Sequence, residues 1–259
     1  MKKKGLMLAG IVIAGALLGS CGLHFSIRAG TGRDRQRPLP EDLRVRDLVI
    51  GNPYGIEEVC IKENGSDVPY LVLSRDYGGS CLLMRKEVLD EKMRYSDGPA
   101  IVGNLSAYYP GSKIDRFLSG EFTQRFSQPV RELMVGTDIE VYTKGSLWCG
   151  DLVNGLETEK INRRCFLLSY KEWGVNTPYL GEGKRIAGIE DYQSEESCWL
   201  RSAYVMEQEM VWMVSKSSAS GWLVSEESGL RPVFCVPPET EAVEEDGIVR
   251  LRCESGSES

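Results

Sequence analysis

The chain has 259 residues, of which 42% are hydrophobic and 27% are charged, values that are ordinary for a globular protein. This length allows one sizeable domain together with a leader and a tail. The formal net charge of −7 argues against a nucleic-acid partner, because binding phosphate requires a basic face. The single histidine, His24, lies in the predicted leader, which leaves the folded domain without a histidine for Ser-His-Asp catalysis or for metal binding.

Residues 1–21 have the three parts of a bacterial lipoprotein signal in the correct order. Met1-Lys-Lys-Lys4 is a charged start, residues 5–18 are an apolar run, and Leu18-Gly-Ser-Cys21 has the form of a lipobox. This order predicts cleavage before Cys21 and lipidation of its thiol. The domain would then be anchored to lipid at a bacterial cell membrane and would face outside.

An uncleaved, single-pass membrane span is the other interpretation of this segment. Residues 22–27 lengthen the apolar run to about 20 residues, which is enough to cross a bilayer. Positive charge lies on both sides of the run, so the charge distribution does not choose an orientation. Residues 22–46 predict a flexible basic tether in either case, and its arginines could contact anionic lipid headgroups.

Residues 47–237 predict a single globular α+β domain with short strands, one or two packed helices and turn-rich connections. The strands expected before residue 170 are 47–50, 57–61, a hairpin of 70–73 with 81–84, a hairpin of 138–142 with 146–149, and 164–169. The best helix is 112–126, because Ser112 can cap it with Asp115 three residues on, and five apolar residues follow at helical spacing. Short helices are expected at 130–135 and after Ser169.

The clearest fold signal is a meander of aromatic and β-branched segments near the C-terminus. Its strands are predicted at 198–203, 210–215, 221–225 and 230–236, separated by Ser- and Gly-rich turns. Gly229 is expected to supply the positive φ that closes the last turn. Pro232 has no N–H to donate, which predicts a sheet edge or a bulge for 230–236.

Arg201 and Arg231 each lie inside an apolar strand of this meander. A buried guanidinium requires carboxylate or carbonyl partners, because an unpaired buried charge is costly. Two interpretations follow, a structural clamp and a binding site for an anionic ligand. We favour the clamp, since most such charges belong to ion-pair networks.

The motif Trp199-Leu200-Arg201-Ser202, followed by Gly229-Leu-Arg231-Pro232, resembles the paired motifs WLRSP and GVRPALWL of an uncharacterised bacterial and phage domain family. The segments 70–73, 81–84, 110–118 and 164–169 are similar to further elements of that family, so the resemblance covers about residues 66–237. Ala203 replaces the usual proline, and Cys235 replaces a large apolar residue. The order of elements is similar to the C-type-lectin-like fold of formylglycine-generating enzymes and phage variable binding proteins, and the resemblance implies a mixed, mainly antiparallel fold of that kind.

Eight cysteines are present without any C-x-x-C pair, which argues against a zinc site. An exported protein would form some disulfides, but cysteines in apolar strands also serve as small core residues. The sequence contains no phosphate-binding loop, no HExxH, no EF-hand loop and no G-x-S-x-G, so no cofactor, no metal site and no catalytic residue is predicted.

The leading hypothesis is a membrane-anchored recognition domain of the cell envelope, which is not an enzyme and binds a glycan or a protein. Its binding face would combine the loops 174–197, 204–209, 216–220 and 226–229, with Tyr204 and Trp222 as candidate contacts. Tyr108 and Tyr109 are further aromatic residues that could stack on a sugar. A thiol-dependent enzyme acting through Cys198 or Cys235, which the fold resemblance suggests, and a purely structural envelope module remain as alternatives. Residues 238–259 predict an acidic, largely disordered tail.

Overall fold

The computed structural model describes residues 37–97, 105–149, 156–175, 186–205 and 209–253. Lipidation at Cys21 and most of the tether were predicted on residues 1–36, which lie outside these ranges. In the described part of the chain, no helix is long and apolar enough to span a membrane.

The described residues form short strands and helices. The strands are β1 (Glu58–Glu63), β2 (Ser66–Tyr77), β3 (Ser80–Arg85), β4 (Met93–Arg94), β5 (Thr137–Tyr142), β6 (Thr158–Arg163), β7 (Cys165–Phe166), β8 (Cys198–Ala203), β9 (Met210–Val214), β10 (Ala219–Leu223), β11 (Glu227–Ser228), β12 (Val233–Val236), β13 (Ala242–Glu245) and β14 (Ile248–Leu251). The α-helices are α1 (Lys113–Phe117), α2 (Gln128–Leu133), α3 (Lys144–Cys149) and α4 (Tyr170–Trp173). Four 3₁₀ segments (Val45–Leu48, Leu105–Ala107, Thr123–Arg125, Ile189–Tyr192) and one π-helical segment (Leu118–Phe122) complete the set.

The largest sheet has seven strands in the order β13-β14-β1-β2-β3-β12-β7. Every neighbouring pair in it is antiparallel except β1 with β14, which is parallel. This arrangement confirms the predicted α+β class with mixed, mainly antiparallel sheets. The sheet interior is apolar on both faces, since every residue of β12 and the run 70–73 of β2 are buried.

Three smaller sheets surround it: β10-β9-β8, the two-stranded ribbon of β5 with β6, and the short pair β4 with β11. Three of the four strands predicted for the meander form one sheet, with β8 and β9 at the expected positions and β10 two residues early, whereas the fourth contributes β12 to the seven-stranded sheet. The sheet edge or bulge predicted for 230–236 is not observed, because β12 lies between β3 and β7, pairs with β3 in continuous register and begins just after Pro232. The Pro232 carbonyl accepts the N–H of Arg85 at 2.9 Å.

Gly229 is needed for space rather than for a left-handed turn. It is absent from the residues with positive φ, which corrects the prediction. A Cβ at Gly229 would overlap Cγ1 of Val88 and lie 3.0 Å from the carbonyl oxygen of Ser197. The glycine therefore permits close contact between two segments of the core.

The predicted helix at 112–126 forms as three successive pieces. Ser112 caps α1, with its Oγ accepting the Asp115 N–H at 3.1 Å, as expected. The chain then passes through the π-helical segment and a 3₁₀ turn, and the five apolar residues of the stripe are buried. The Asp115 carboxylate accepts the N–H of Gly111 at 2.8 Å and binds Arg163, rather than closing a capping box.

Two predicted strands do not form. In place of the strand predicted at 47–50, residues 45–48 form a 3₁₀ turn, in which Val45 and Leu48, three residues apart, are both buried. Residues 144–149 form α3, since Oγ1 of Thr143 accepts the Ser146 N–H at 3.1 Å and starts a helix. Strand β5 consequently pairs with β6 instead of with 146–149.

The segment predicted as a disordered tail is part of the sheet up to Leu251. Strands β13 and β14 form a hairpin, and β14 adds to the edge of β1. Ala242 and Val249 are buried. The acidic residues that suggested disorder occupy the exposed positions of the hairpin.

The last residues of the predicted tether also belong to the domain. Leu43 and Val45 are buried, and the backbone of this segment runs beside the hairpin. The N–H of Val45 donates to the Thr240 carbonyl at 2.9 Å, and the N–H of Ala242 donates to Leu43 at 3.0 Å. The two ends of the domain are thus held together.

We predict that truncation after Pro237 destabilises the domain. It removes β13 and β14, exposes the edge of β1 and leaves Leu43 without its cover, which should lower the free energy of unfolding by at least about 2 kcal/mol. Urea unfolding followed by tryptophan fluorescence measures this. Truncation after Cys253 is the control and should have little effect, whereas equal stability of the two truncated chains would contradict the role of the hairpin.

Candidate functional site

The short helix α4 is fixed at both ends by its own sequence. Ser169 Oγ accepts the Glu172 N–H at 3.2 Å, and Glu172 Oε2 accepts the Ser169 N–H at 2.7 Å, which completes the predicted capping box. Gly174 ends the helix with a φ of 80°, a conformation that suits glycine. The carboxylate of Glu172 is thereby held beside Arg201 of β8.

Glu172 and Arg201 form a buried, bidentate ion pair. Arg201 Nη1 lies 2.6 Å from Glu172 Oε2, and Nη2 lies 2.8 Å from Oε1. Arg201 also donates to the carbonyls of Leu167 at 2.8 Å and Glu140 at 3.1 Å. The Tyr77 hydroxyl donates to Glu172 Oε1 at 2.5 Å. Both charged groups are thus supplied with partners by the protein itself, as the clamp interpretation requires.

The pKa shifts of this pair follow from its surroundings. Burial disfavours ionisation of Glu172, but the charge of Arg201 and hydrogen bonds from Arg201, the Ser169 N–H and Tyr77 outweigh it and lower the pKa of Glu172. Burial likewise opposes the charge of Arg201, and Glu172 reverses this effect, so the pKa of Arg201 is raised. The pair is therefore ionised at neutral pH.

The ribbon of β5 and β6 presents three cross-strand pairs of polar side chains to the same side. They are Asp138 with Asn162, Glu140 with Lys160, and Tyr142 with Thr158. Asn162 Nδ2 donates to Asp138 Oδ1 at 2.9 Å. The other face of β5 is buried through Thr137, Ile139 and Val141.

A cleft of about 690 Å³ lies between this ribbon, α4 and the turn that joins β2 to β3. Its floor includes the Glu172–Arg201 pair, and tyrosines contribute to its walls (Tyr77, Tyr142, Tyr170). The hydroxyls of Tyr142 and Tyr170 are hydrogen-bonded to each other. Its carboxylates (Asp138, Glu140, Glu172) are equal in number to its cations (Lys160, Lys171, Arg201). The cleft is polar, aromatic and charge-balanced.

Arg231 is a second clamp, made with carbonyls instead of a carboxylate. Its guanidinium donates to the backbone carbonyls of Arg85 at 3.2 Å, Tyr192 at 2.7 Å and Lys86 at 2.6 Å. The guanidinium also lies over the ring of Trp173. Burial lowers its pKa. These bonds tie the 3₁₀ turn at Ile189–Tyr192, in the long loop 174–197, to the end of β3. Residues 176–185 of that loop lie outside the described ranges.

The remaining residues of the paired motifs join the two segments to each other. The N–H of Trp199 donates to Gly229 at 3.0 Å, and the N–H of Gly229 donates to Ser197 at 3.1 Å. Trp199, Leu200 and Ser202 are buried. The Nε1–H of Trp199 donates to the carbonyl of Met93 at 2.9 Å. Of the eight residues of the paired motifs, only Arg201 and Ser202 line the cleft.

The predicted ligand-face residues Tyr204 and Trp222 do not line the cleft. Tyr204 packs edge-on against Trp212, which stacks on the cleft residue Tyr170. Trp222 lies on β10 and is 44% exposed. Tyr109, expected to be an exposed aromatic, is buried. The Tyr108 hydroxyl donates to Glu159 at 2.7 Å, and Lys144 covers its ring.

The thiols that the structure describes are buried or half-buried, and none of them is in a disulfide. Burial raises the pKa of Cys198 to about 11 and the pKa of Cys235 to about 12. Both thiols are therefore protonated at neutral pH, which gives no support to a nucleophilic role. The described residues also contain no cluster of His, Cys, Asp and Glu that could hold a metal ion.

Sequence reasoning located Arg201 and the Glu172 cap separately but did not join them. The available signal was the pairing rule itself, since a buried arginine needs a carboxylate and Glu172 is fixed by a capping box. The polar face of the ribbon was missed because residues 146–149 were assigned to the strand opposite β5. The alternation of exposed and half-buried residues in β6 could have indicated the true partner.

The model of a family described as "Domain of unknown function (DUF6273)" matches residues 78–238. No curated protein matches the chain, and no solved structure matches it.

We predict that Glu172→Gln strongly destabilises the domain at neutral pH. It leaves Arg201 buried without a counterion, which costs about 3–5 kcal/mol. Because the folded state lowers the pKa of Glu172 below its unfolded value of about 4.3, its stabilisation is complete above that value and is lost as the pH falls through the folded pKa. The difference in unfolding free energy between wild type and variant should therefore shrink below about pH 4.

Urea unfolding at a series of pH values measures this difference. Glu195→Gln, which removes the exposed partner of Lys216, is the control and should change stability little. The double variant Glu172→Gln/Arg201→Met should be less destabilised than the sum of the two single variants. A wild-type-like Glu172→Gln at pH 7 would show that the pair does not support the fold.

Proposed function

The chain belongs to the DUF6273 family, and we propose that it is a membrane-anchored recognition domain that binds a carbohydrate chain in the cleft between the β5–β6 ribbon and α4. The observation that carries this proposal is the combination of tyrosine rings with charge-balanced polar side chains around a floor that is already fixed. We also propose that the fold is of the C-type-lectin-like kind, on the strength of the sequence motifs.

The rigid floor favours binding over a catalytic rearrangement. Glu172 and Arg201 are engaged with each other and with backbone groups, so neither charge is left to attract an anion. A site built on such a clamp keeps its shape when a ligand enters, which reduces the entropy cost of binding.

The exposed polar pairs fit hydroxyl groups. Asp138 and Asn162 offer acceptors and an amide donor close together, and Lys160 and Lys171 offer further donors. Equal numbers of positive and negative groups favour a ligand without net charge. The partly exposed rings of Tyr77 and Tyr142 add apolar surface, which suits the apolar face of a sugar ring.

Binding to a carbohydrate is tested with the full-length chain in detergent and a panel of hexose and N-acetylhexosamine oligosaccharides. Asp138→Ala and Lys160→Ala remove exposed cleft groups and should each weaken binding about tenfold, which corresponds to one or two lost hydrogen bonds. Asp90→Ala and Lys92→Ala remove the same side-chain types at exposed positions outside the cleft and should bind normally. Binding that ignores the cleft variants would place the ligand elsewhere, and no binding to any sugar would contradict the proposal.

Anchoring through Cys21 is a separate part of the proposal and is supported by the lipobox sequence. The intact mass of the N-terminus should correspond to a chain that begins at a diacylglyceryl-modified Cys21. Protease treatment of whole cells should remove the domain. A chain that retains Met1 and is protected from the protease would contradict both the lipid anchor and the outward orientation.

A further inference from the structure

Strand β10 is an edge strand whose outer side has free backbone groups. It pairs with β9 alone. The N–H of Ser215 donates to the carbonyl of Ser218 at 2.8 Å, and the N–H of Val224 donates to the carbonyl of Glu209 at 2.9 Å. Because hydrogen-bonded pairs recur at every second residue of an antiparallel ladder, the even-numbered residues of β10 are the ones that bond to β9. The N–H and C=O groups of Ala219, Gly221 and Leu223 therefore point outward. Among the described residues, only the Leu223 carbonyl has another partner, the N–H of Glu226 at 3.0 Å.

This edge lacks the features that normally prevent pairing between chains. Strand β10 has no charged residue and no proline, whereas the edge strand β13 has Glu244 and Glu245. The two large hydrophobic side chains that are exposed in the described ranges, Trp222 and Leu223, both lie on β10. Exposed residues of this kind on an unprotected edge are typical of a surface that can pair with another strand.

We propose that β10 pairs with β10 of a second copy of the chain, antiparallel and about a two-fold axis at Gly221, to form a continuous six-stranded sheet. Gly221 donates to and accepts from the partner's Gly221, and the N–H of Leu223 donates to the carbonyl of the partner's Ala219. By symmetry this makes four backbone hydrogen bonds with groups that point outward already. The proposal does not depend on the ligand in the cleft.

The sequence around Gly221 is complementary to itself in this register. Trp222 lies opposite the partner's Ser220, and Leu223 lies opposite the partner's Ala219, so each large side chain meets a small one. Gly221 brings no side chain to the two-fold axis. The ring of Tyr204 already occupies the space that a Cβ of residue 221 would need. No large side chain is forced against its own copy.

Charge does not oppose this register. Strand β10 carries no charged residue, so no like charges meet across the axis.

Sedimentation equilibrium of the full-length chain in density-matched detergent tests the proposal. The wild type should form a reversible dimer. Leu223→Lys adds the charge that protects natural edge strands and should weaken the dimer about tenfold or more. Ser119→Lys adds the same charge at an exposed helical position and should leave the dimer unchanged. Circular dichroism confirms that each variant is folded.

A wild type that is monomeric at all concentrations, or a dimer that Leu223→Lys does not weaken, would overturn the proposal.

Discussion

The buried ion pair of Glu172 with Arg201 joins three parts of the molecule that are far apart in sequence. Arg201 is on β8, Glu172 caps α4, and the guanidinium also holds the carbonyl of Glu140 on the ribbon. Tyr77, from the end of β2, completes the set through its hydroxyl. Removing either charge would leave the other buried without a partner, so the position of the helix, the ribbon and the cleft between them depends on this contact.

Arg231 holds part of the long loop 174–197 in place, as Arg201 holds the elements around the cleft, but its partners are backbone carbonyls instead of a carboxylate. Its three carbonyl acceptors satisfy the donors without neutralising the charge, and the ring of Trp173 lies against the guanidinium. The result is a lowered pKa for Arg231, whereas the pKa of Arg201 is raised. The two arginines of the paired motifs thus act as fixed points around which less regular segments are arranged.

The proposed ligand site and the proposed dimer edge lie mainly on two different small sheets, the β5–β6 ribbon and the sheet β10-β9-β8. The cleft uses side chains on the face of the β5–β6 ribbon, while β10 offers backbone groups at an edge. Trp212 stacks on Tyr170 in the cleft wall and contacts Tyr204, which covers Gly221 on β10. Aromatic packing therefore connects the two surfaces. Trp222, expected from sequence to contact a ligand, is better placed for contact with a second copy.

The sequence alone was sufficient where the signal is local. It identified the α+β class, the β2–β3 hairpin, strands β8 and β9, the cap of α1 at Ser112 and the capping box of α4, because alternation and capping act over a few residues. It also favoured the structural interpretation of Arg201, since the cost of a buried charge does not depend on the fold.

Tertiary structure decided what depends on distant partners. The acidic hairpin of β13 and β14 is ordered because β1 offers it an edge, and no local pattern in residues 238–253 shows that edge. Residues 144–149 are helical because the strand opposite β5 comes from β6 instead. Gly229 is required by the approach of Val88 and not by its own backbone angles. The cleft exists only after α4, β8 and the ribbon meet at Arg201, which is a contact between residues 29 and 61 positions apart in sequence.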